Sequence, residues 1–180
     1  KIIRQLPLNI LGMFNQFCTP FGPLLMRGVL SDNVFDILLR ALNSTRRNIS
    51  EGYALEFTSP EQNIVHNELL DLTKEYMLAY FLRGIGRPKV QNLQIVDRIW
   101  VKYIKPAGII SCVAYLKVPK ENLEANKIQW EYGESIHFSE PCYNQVPIEK
   151  DVWLFPADLK HMVYPFKSQV ERVSISCNFK

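Results

Sequence analysis

The 180-residue chain is poor in everything that marks a specialised class. Its 8 glycines and 11 prolines are ordinary globular values, and no low-complexity tract interrupts it, which excludes collagen-like and disordered readings. Four cysteines, Cys18, Cys112, Cys142 and Cys177, are scattered with no CxxC pair, so neither a disulfide scaffold nor a zinc finger is indicated. Free thiols follow, and with them a reducing, cytoplasmic compartment. The longest apolar stretches, Tyr76–Leu82 and Gly108–Leu116, fall well short of the ~18 residues of a membrane span. Charge of one sign is missing too. Twenty-one Lys and Arg stand against 18 Asp and Glu, a net charge of +3 with no basic arm, so neither nucleic acid nor a membrane surface is implied. The chain opens on Lys1 instead of a methionine, without a secretory apolar segment, which fits a trimmed reading frame.

What is present is an α+β order. The first thirty residues, broken by Pro7, Pro20, Gly22, Pro23 and Gly28, suit one or two edge strands. Ser31 is a helix cap, and Val34, Leu38, Ala41, Leu42 and Thr45 recur at helical spacing, predicting a helix from about Asp32 to Arg46. A second helix is signalled by Ser59, Pro60 and Gln62 at its start and by Gly84 and Gly86 at its end. Its stripe is Ile64, Leu69, Leu72, Tyr76, Met77 and Tyr80. From Gln94 the character turns to strands, about Gln94–Ile104, Ile109–Val118, Lys127–Tyr132, Val152–Phe155 and Val170–Phe179. This predicts one domain. Residues 1–93 supply supporting helices and edge strands, and residues 94–180 form a β-sandwich or jelly roll.

The last predicted strand is the most informative segment. Period-2 alternation puts Val173, Ile175, Cys177 and Phe179 on a core face and Arg172, Ser174, Ser176 and Asn178 on a polar one. By pattern alone such a stripe faces solvent. His161, amid aromatics, would by itself be a satisfied core histidine.

The run from Val152 to Asn178, VWLFPADLKHMVYPFKSQVERVSISCN, changes that balance. It resembles the distal half of the iron(II) and 2-oxoglutarate-dependent dioxygenase core, especially the small oxygenases of bacteria and their phages. In that pattern a strand and F-P lead through a short loop to the distal histidine, then an aromatic-proline turn and R-x-S. The resemblance implies a double-stranded β-helix with amino-terminal supporting helices. It also implies iron(II) and 2-oxoglutarate, with His161 as catalytic metal ligand. An open-sided site of two histidines and a carboxylate leaves room for cosubstrate and oxygen. Arg172 would grip the far carboxylate of 2-oxoglutarate bidentately, and Ser174 would add a hydroxyl. Tyr115, in the Y-L of Ser111–Pro119, would point at the same carboxylate, and Tyr103 would reach the other end of the cosubstrate. The implied chemistry is oxidative decarboxylation of 2-oxoglutarate to succinate, coupled to hydroxylation of an unidentified second substrate. The oligomeric state stays open.

One element is missing. The family places H-x-D just before its second core strand, yet the interval from Tyr103 to Ser111 holds no His, Asp or Glu. His66, in the second helix, and His137, in a strand-turn segment, stand elsewhere. Two accounts compete: a metal-free jelly-roll module that kept the fold, or a sequence that omits residues between Lys105 and Ser111. Loss of metal function should also have relaxed His161 and Arg172, which favours the second.

Overall fold

In a computed structural model, residues 15–19, 23–45, 53–82, 100–101, 108–121, 126–133, 141–164 and 169–180 are described. The chain runs β1 (Gln16–Cys18), β2 (Leu25–Val29), α1 (Asp32–Thr45), β3 (Tyr53–Ala54), α2 (Ser59–Leu82), β4 (Trp100–Val101) and β5 (Ile110–Lys117). It continues through β6 (Ile128–Glu131), β7 (Cys142–Gln145), β8 (Asp151–Pro156), β9 (Lys160–Val163) and β10 (Val173–Phe179). The strands form a seven-stranded sheet, β1-β2-β8-β5-β10-β4-β3, and a three-stranded sheet, β7-β6-β9. Every pairing is antiparallel. The fold is therefore mixed α and β, and among the described residues no helix is long and apolar enough to cross a membrane.

Alternation along the central strands divides the molecule into layers. On β5, β8 and β10, the residues Cys112, Leu116, Val152, Leu154, Ile175 and Phe179 join a core with Val34, Leu38, Val65, Leu69 and Tyr76 of the helices. The opposite residues, Tyr115, Trp153 and Phe155, join Ile128 and Trp130 of β6 in a second core. Helices thus cover one face of the large sheet, and the small sheet covers the other.

Local chemistry explains the helices. Ser31 caps α1, its Oγ accepting from Val34 N at 3.3 Å. The α2 cap sits one residue earlier than the sequence suggested. Thr58 donates through N and Oγ1 to Glu61 Oε2 at 3.2 and 2.7 Å, because a carboxylate is a stronger acceptor than the Gln62 amide. The buried stripe of α2 is Val65, Leu69, Thr73, Tyr76 and Ala79, with Ile64 turned to solvent. Tyr76 pins this helix to the sheet by donating its phenol to Leu24 O at 2.8 Å.

The amino-terminal strands differ from expectation. Only β1 is an edge; β2 lies inside the large sheet, between β1 and β8. Val170–Arg172 precedes β10 instead of belonging to it. Most of the predicted strand Gln94–Ile104, the glycines 84 and 86, and the Lys105–Ala107 stretch lie outside the described residues. From Gly108 the chain leads directly into β5. A Cβ at Gly108 would meet Phe179 O at 2.5 Å, so only glycine lets this segment lie against β10.

Candidate functional site

The alternation of β10 builds one wall of the site. With Val173, Ile175, Cys177 and Phe179 committed to the helix-side core, Ser174 and Ser176 face the small sheet. Register then assigns their neighbours on β5: Ser174 opposite Tyr115, Ser176 opposite Val113 and Asn178 opposite Ser111, with the register shifted between Val173 and Ser174. Ser111 Oγ donates to Asn178 Oδ1 at 2.9 Å, which closes the far end of this polar row.

The facing wall is β9. His161 sits opposite Trp130 across β6–β9. Its Nδ1 lies 2.9 Å from Leu159 O, a contact in which a neutral ring carries its hydrogen on Nδ1 and its lone pair on Nε2. That is the tautomer a metal-ligating histidine needs, and the Phe155 ring, with its centroid 4.8 Å away, holds the imidazole edge-to-face. Between the walls is a cavity of about 570 Å³, lined among others by Val113, Asp158, His161, Ser174 and Ser176. Its size suits a small organic ligand.

Tyr115 is 1% exposed, and its hydroxyl, buried between the sheets, has no hydrogen-bond partner among the described residues. An unsatisfied buried hydroxyl costs about 1–3 kcal/mol. Burial pushes the Tyr115 phenol well above its ordinary range, while the nearby positive charge of Arg172 pulls it back. Arg172, half-buried just before β10, is in turn held below the usual arginine range by burial and pushed up by Tyr115. The two residues are therefore close enough to interact electrostatically. Trp130 Nε1 and Trp153 Nε1 are likewise buried donors without an acceptor among the described residues. Tyr115, Trp130 and Trp153 thus bring three such donors into one buried cluster.

The sequence-predicted residues thus fall into linked pairs. His161 and Ser174 line one cavity, Tyr115 and Arg172 interact, and the Ser174–Tyr115 register joins the two pairs. Tyr103 lies outside the described residues, as does His137. His66 sits on α2, half-buried, with burial holding its pKa below the ordinary value. No cluster of three His, Cys, Asp or Glu side chains fit for a metal occurs among the described residues.

Other polar groups escaped the sequence argument. Asp158 and Lys160 lie on the cavity wall, flanking the loop into β9. Arg27 of β2 donates through Nε and Nη2 to Asp151 Oδ1 at 3.0 and 2.9 Å, and Ile148 N donates to Asp151 Oδ2 at 2.9 Å. Burial raises the Asp151 carboxyl against the pull of Arg27. A pair 124 residues apart leaves no local signal.

Residues 97–178 match the model of a family described as "Putative 2OG-Fe(II) oxygenase". Over its length the chain is similar to a solved prolyl hydroxylase in complex with a hypoxia inducible factor oxygen degradation domain peptide fragment from Trichoplax adhaerens. The identity is 15% and the TM-score 0.48, with 96% of this chain and 84% of that chain covered. No curated protein matches the chain.

Proposed function

We propose that the protein, whose residues 97–178 match the 2OG-Fe(II) oxygenase family model, is an iron(II)- and 2-oxoglutarate-dependent oxygenase that hydroxylates a second substrate. The observation that carries this reading is the Tyr115 hydroxyl, buried with no hydrogen-bond partner among the described residues, within electrostatic reach of Arg172 and on a residue in register with Ser174. A phenol, a guanidinium and a serine hydroxyl together suit one carboxylate. Arg172 supplies a planar fork, Tyr115 and Ser174 each supply one O–H donor, and the interior around Tyr115 excludes competing water. The residues present fit the dicarboxylate in this way.

For iron they supply one candidate ligand, His161, whose ring is oriented by the Nδ1 contact with Leu159 O. Bound iron(II) supplies the oxygen activation that couples decarboxylation of 2-oxoglutarate to hydroxylation. Tyr103 is retained as a further cosubstrate contact. The strand order β4-β10-β5-β8 facing β7-β6-β9 is consistent with a double-stranded β-helix. The four free cysteines support a reducing, cytoplasmic location.

A second reading rests on a specific observation, the absence of His, Asp and Glu between Tyr103 and Ser111. In that reading the same pocket binds an acidic metabolite without metal. Calorimetric titration of 2-oxoglutarate with and without iron(II) separates the two. The oxygenase reading expects iron to tighten binding, and His161→Ala to remove that gain while leaving metal-free binding intact. Equal affinity with and without iron supports the metal-free module, and no binding in either condition refutes both.

A further inference from the structure

The polar face of β10 carries three side chains in a row, Ser174, Ser176 and Asn178. Asn178 is engaged by Ser111, whose Oγ donates to Asn178 Oδ1 at 2.9 Å. Ser174 stands opposite Tyr115 at the carboxylate end of the site. Ser176 lies between them on the cavity wall, and its hydroxyl has no hydrogen-bond partner among the described residues. Packing does not employ it, because alternation commits Ile175 and Cys177 to the helix-side core and leaves Ser176 half-buried on the other side of the sheet.

Register fixes what stands beside it. One rung of the large sheet holds Trp153, Val113 and Ser176; Val113 offers no donor, and the Trp153 Nε1 is buried. The rung on one side holds Phe155, Ser111 and Asn178, and the Phe155 ring packs on His161. The rung on the other side holds Tyr115 and Ser174. A ligand lying along the cavity from the Ser174 end towards His161 therefore passes the Ser176 hydroxyl. Its length decides where it stops. Residues two apart on an antiparallel strand are separated by about 7 Å, and residues four apart by about 14 Å. In an extended five-carbon dicarboxylate, four C–C bonds of ~1.5 Å set the two carboxyl carbons about 5 Å apart, and a hydrogen bond at each end adds reach. With one carboxylate at Ser174, the other falls at Ser176 and short of Asn178.

We propose that Ser176 is a further cosubstrate-binding residue, donating its hydroxyl to the carboxylate at the 2-oxo-acid end of 2-oxoglutarate. The assignment rests on the 2-oxoglutarate reading and extends it from the far carboxylate to the near one. Each serine on this strand face then takes its own end of the ligand, Ser174 the far carboxylate and Ser176 the near one. His161 lines the same cavity from the facing wall.

The test reads the two ends of the ligand separately, using the full chain and 2-oxoglutarate carrying ¹³C at either the near or the far carboxyl carbon. Spectra of the bound ligand are recorded without metal and with zinc(II), a diamagnetic stand-in for iron(II), for wild type, Ser176→Ala and Ser174→Ala. Ser176→Ala should move the bound near-carboxyl resonance and leave the far one in place, and Ser174→Ala should do the reverse. By calorimetry Ser176→Ala should bind 2-oxoglutarate roughly three- to tenfold more weakly, a modest loss because water also reaches this hydroxyl in the free protein. If wild type binds 2-oxoglutarate while Ser176→Ala keeps either its affinity or its near-carboxyl resonance, the assignment of Ser176 is wrong and the oxygenase reading stands. Movement of both resonances together in Ser176→Ala overturns it as well, since that reports a general disturbance of β10 instead of a contact at one end. If wild type binds no 2-oxoglutarate with or without iron(II), the oxygenase reading falls and the assignment with it.

Discussion

Tyr115→Phe should move stability and affinity in opposite directions. In the ligand-free protein the Tyr115 hydroxyl is buried with no partner among the described residues, so its removal relieves a desolvation cost of about 1–3 kcal/mol. Phenylalanine keeps the ring in the cluster with Trp130, Trp153 and Phe155, and no cavity larger than the lost oxygen opens. Allowing for that small void, the net gain is roughly 1–2 kcal/mol, or about 2–8 °C in Tm for a chain of this size. On the proposed reading the same substitution deletes one hydrogen bond to a bound carboxylate. A bond to a charged group contributes about 1.5–3 kcal/mol, so affinity for 2-oxoglutarate should fall roughly ten- to a hundredfold. Differential scanning calorimetry of the ligand-free variant and isothermal titration of 2-oxoglutarate read the two effects. A lower Tm would show that the hydroxyl is already satisfied in the fold, and unchanged affinity would remove it from the site.

Three further expectations concern the scaffold. Gly108→Ala brings a methyl within 2.5 Å of Phe179 O and 2.9 Å of Asn178 Cβ; it should cost roughly 1–3 kcal/mol, seen as a lower urea midpoint. Arg27→Ala leaves the buried Asp151 carboxylate with only the Ile148 N–H and should cost roughly 3–5 kcal/mol, most of it recovered in an Arg27→Met/Asp151→Leu double variant. Alkali should destabilise the fold: burial pushes the Tyr76 and Tyr115 phenols well up and Tyr143 up to about 12. Above about pH 10 the unfolded chain then sheds protons that the folded state keeps, and stability falls as pH rises, by up to ~1.4 kcal/mol per pH unit for each fully buried tyrosine. Urea midpoints flat from pH 8 to 11 would contradict this.

How much of this was legible in the sequence varied with the range of the interaction. The period-2 pattern of Val173–Phe179 correctly divided β10 into a core face and a polar face, because a strand's two faces follow from covalent geometry alone. Helix α1 was legible for the same reason, its apolar residues standing at 3.6-residue spacing behind a serine cap. The α2 face was misjudged by one position, since Ile64 and Val65 are equally apolar and only the packed sheet chooses between them. Strands β7 and β9 escaped prediction because both are four residues long and neither shows an alternating apolar pattern. His161 and Arg172 stood out only through a family pattern. That the donors of Tyr115, Trp130 and Trp153 have no acceptor among the described residues was not legible, because whether a buried N–H or O–H finds an acceptor is decided by residues far away in sequence.

The central claim of the proposed reading is that Arg172, Tyr115 and Ser174 together hold the far carboxylate of 2-oxoglutarate, and the affinity of Arg172 variants tests it most directly. Arg172→Lys keeps the charge but loses the planar fork, and should weaken 2-oxoglutarate binding roughly ten- to a hundredfold. Arg172→Ala removes the counter-charge from a partly desolvated site and should weaken it further. Equal affinity in wild type and Arg172→Ala would contradict the account.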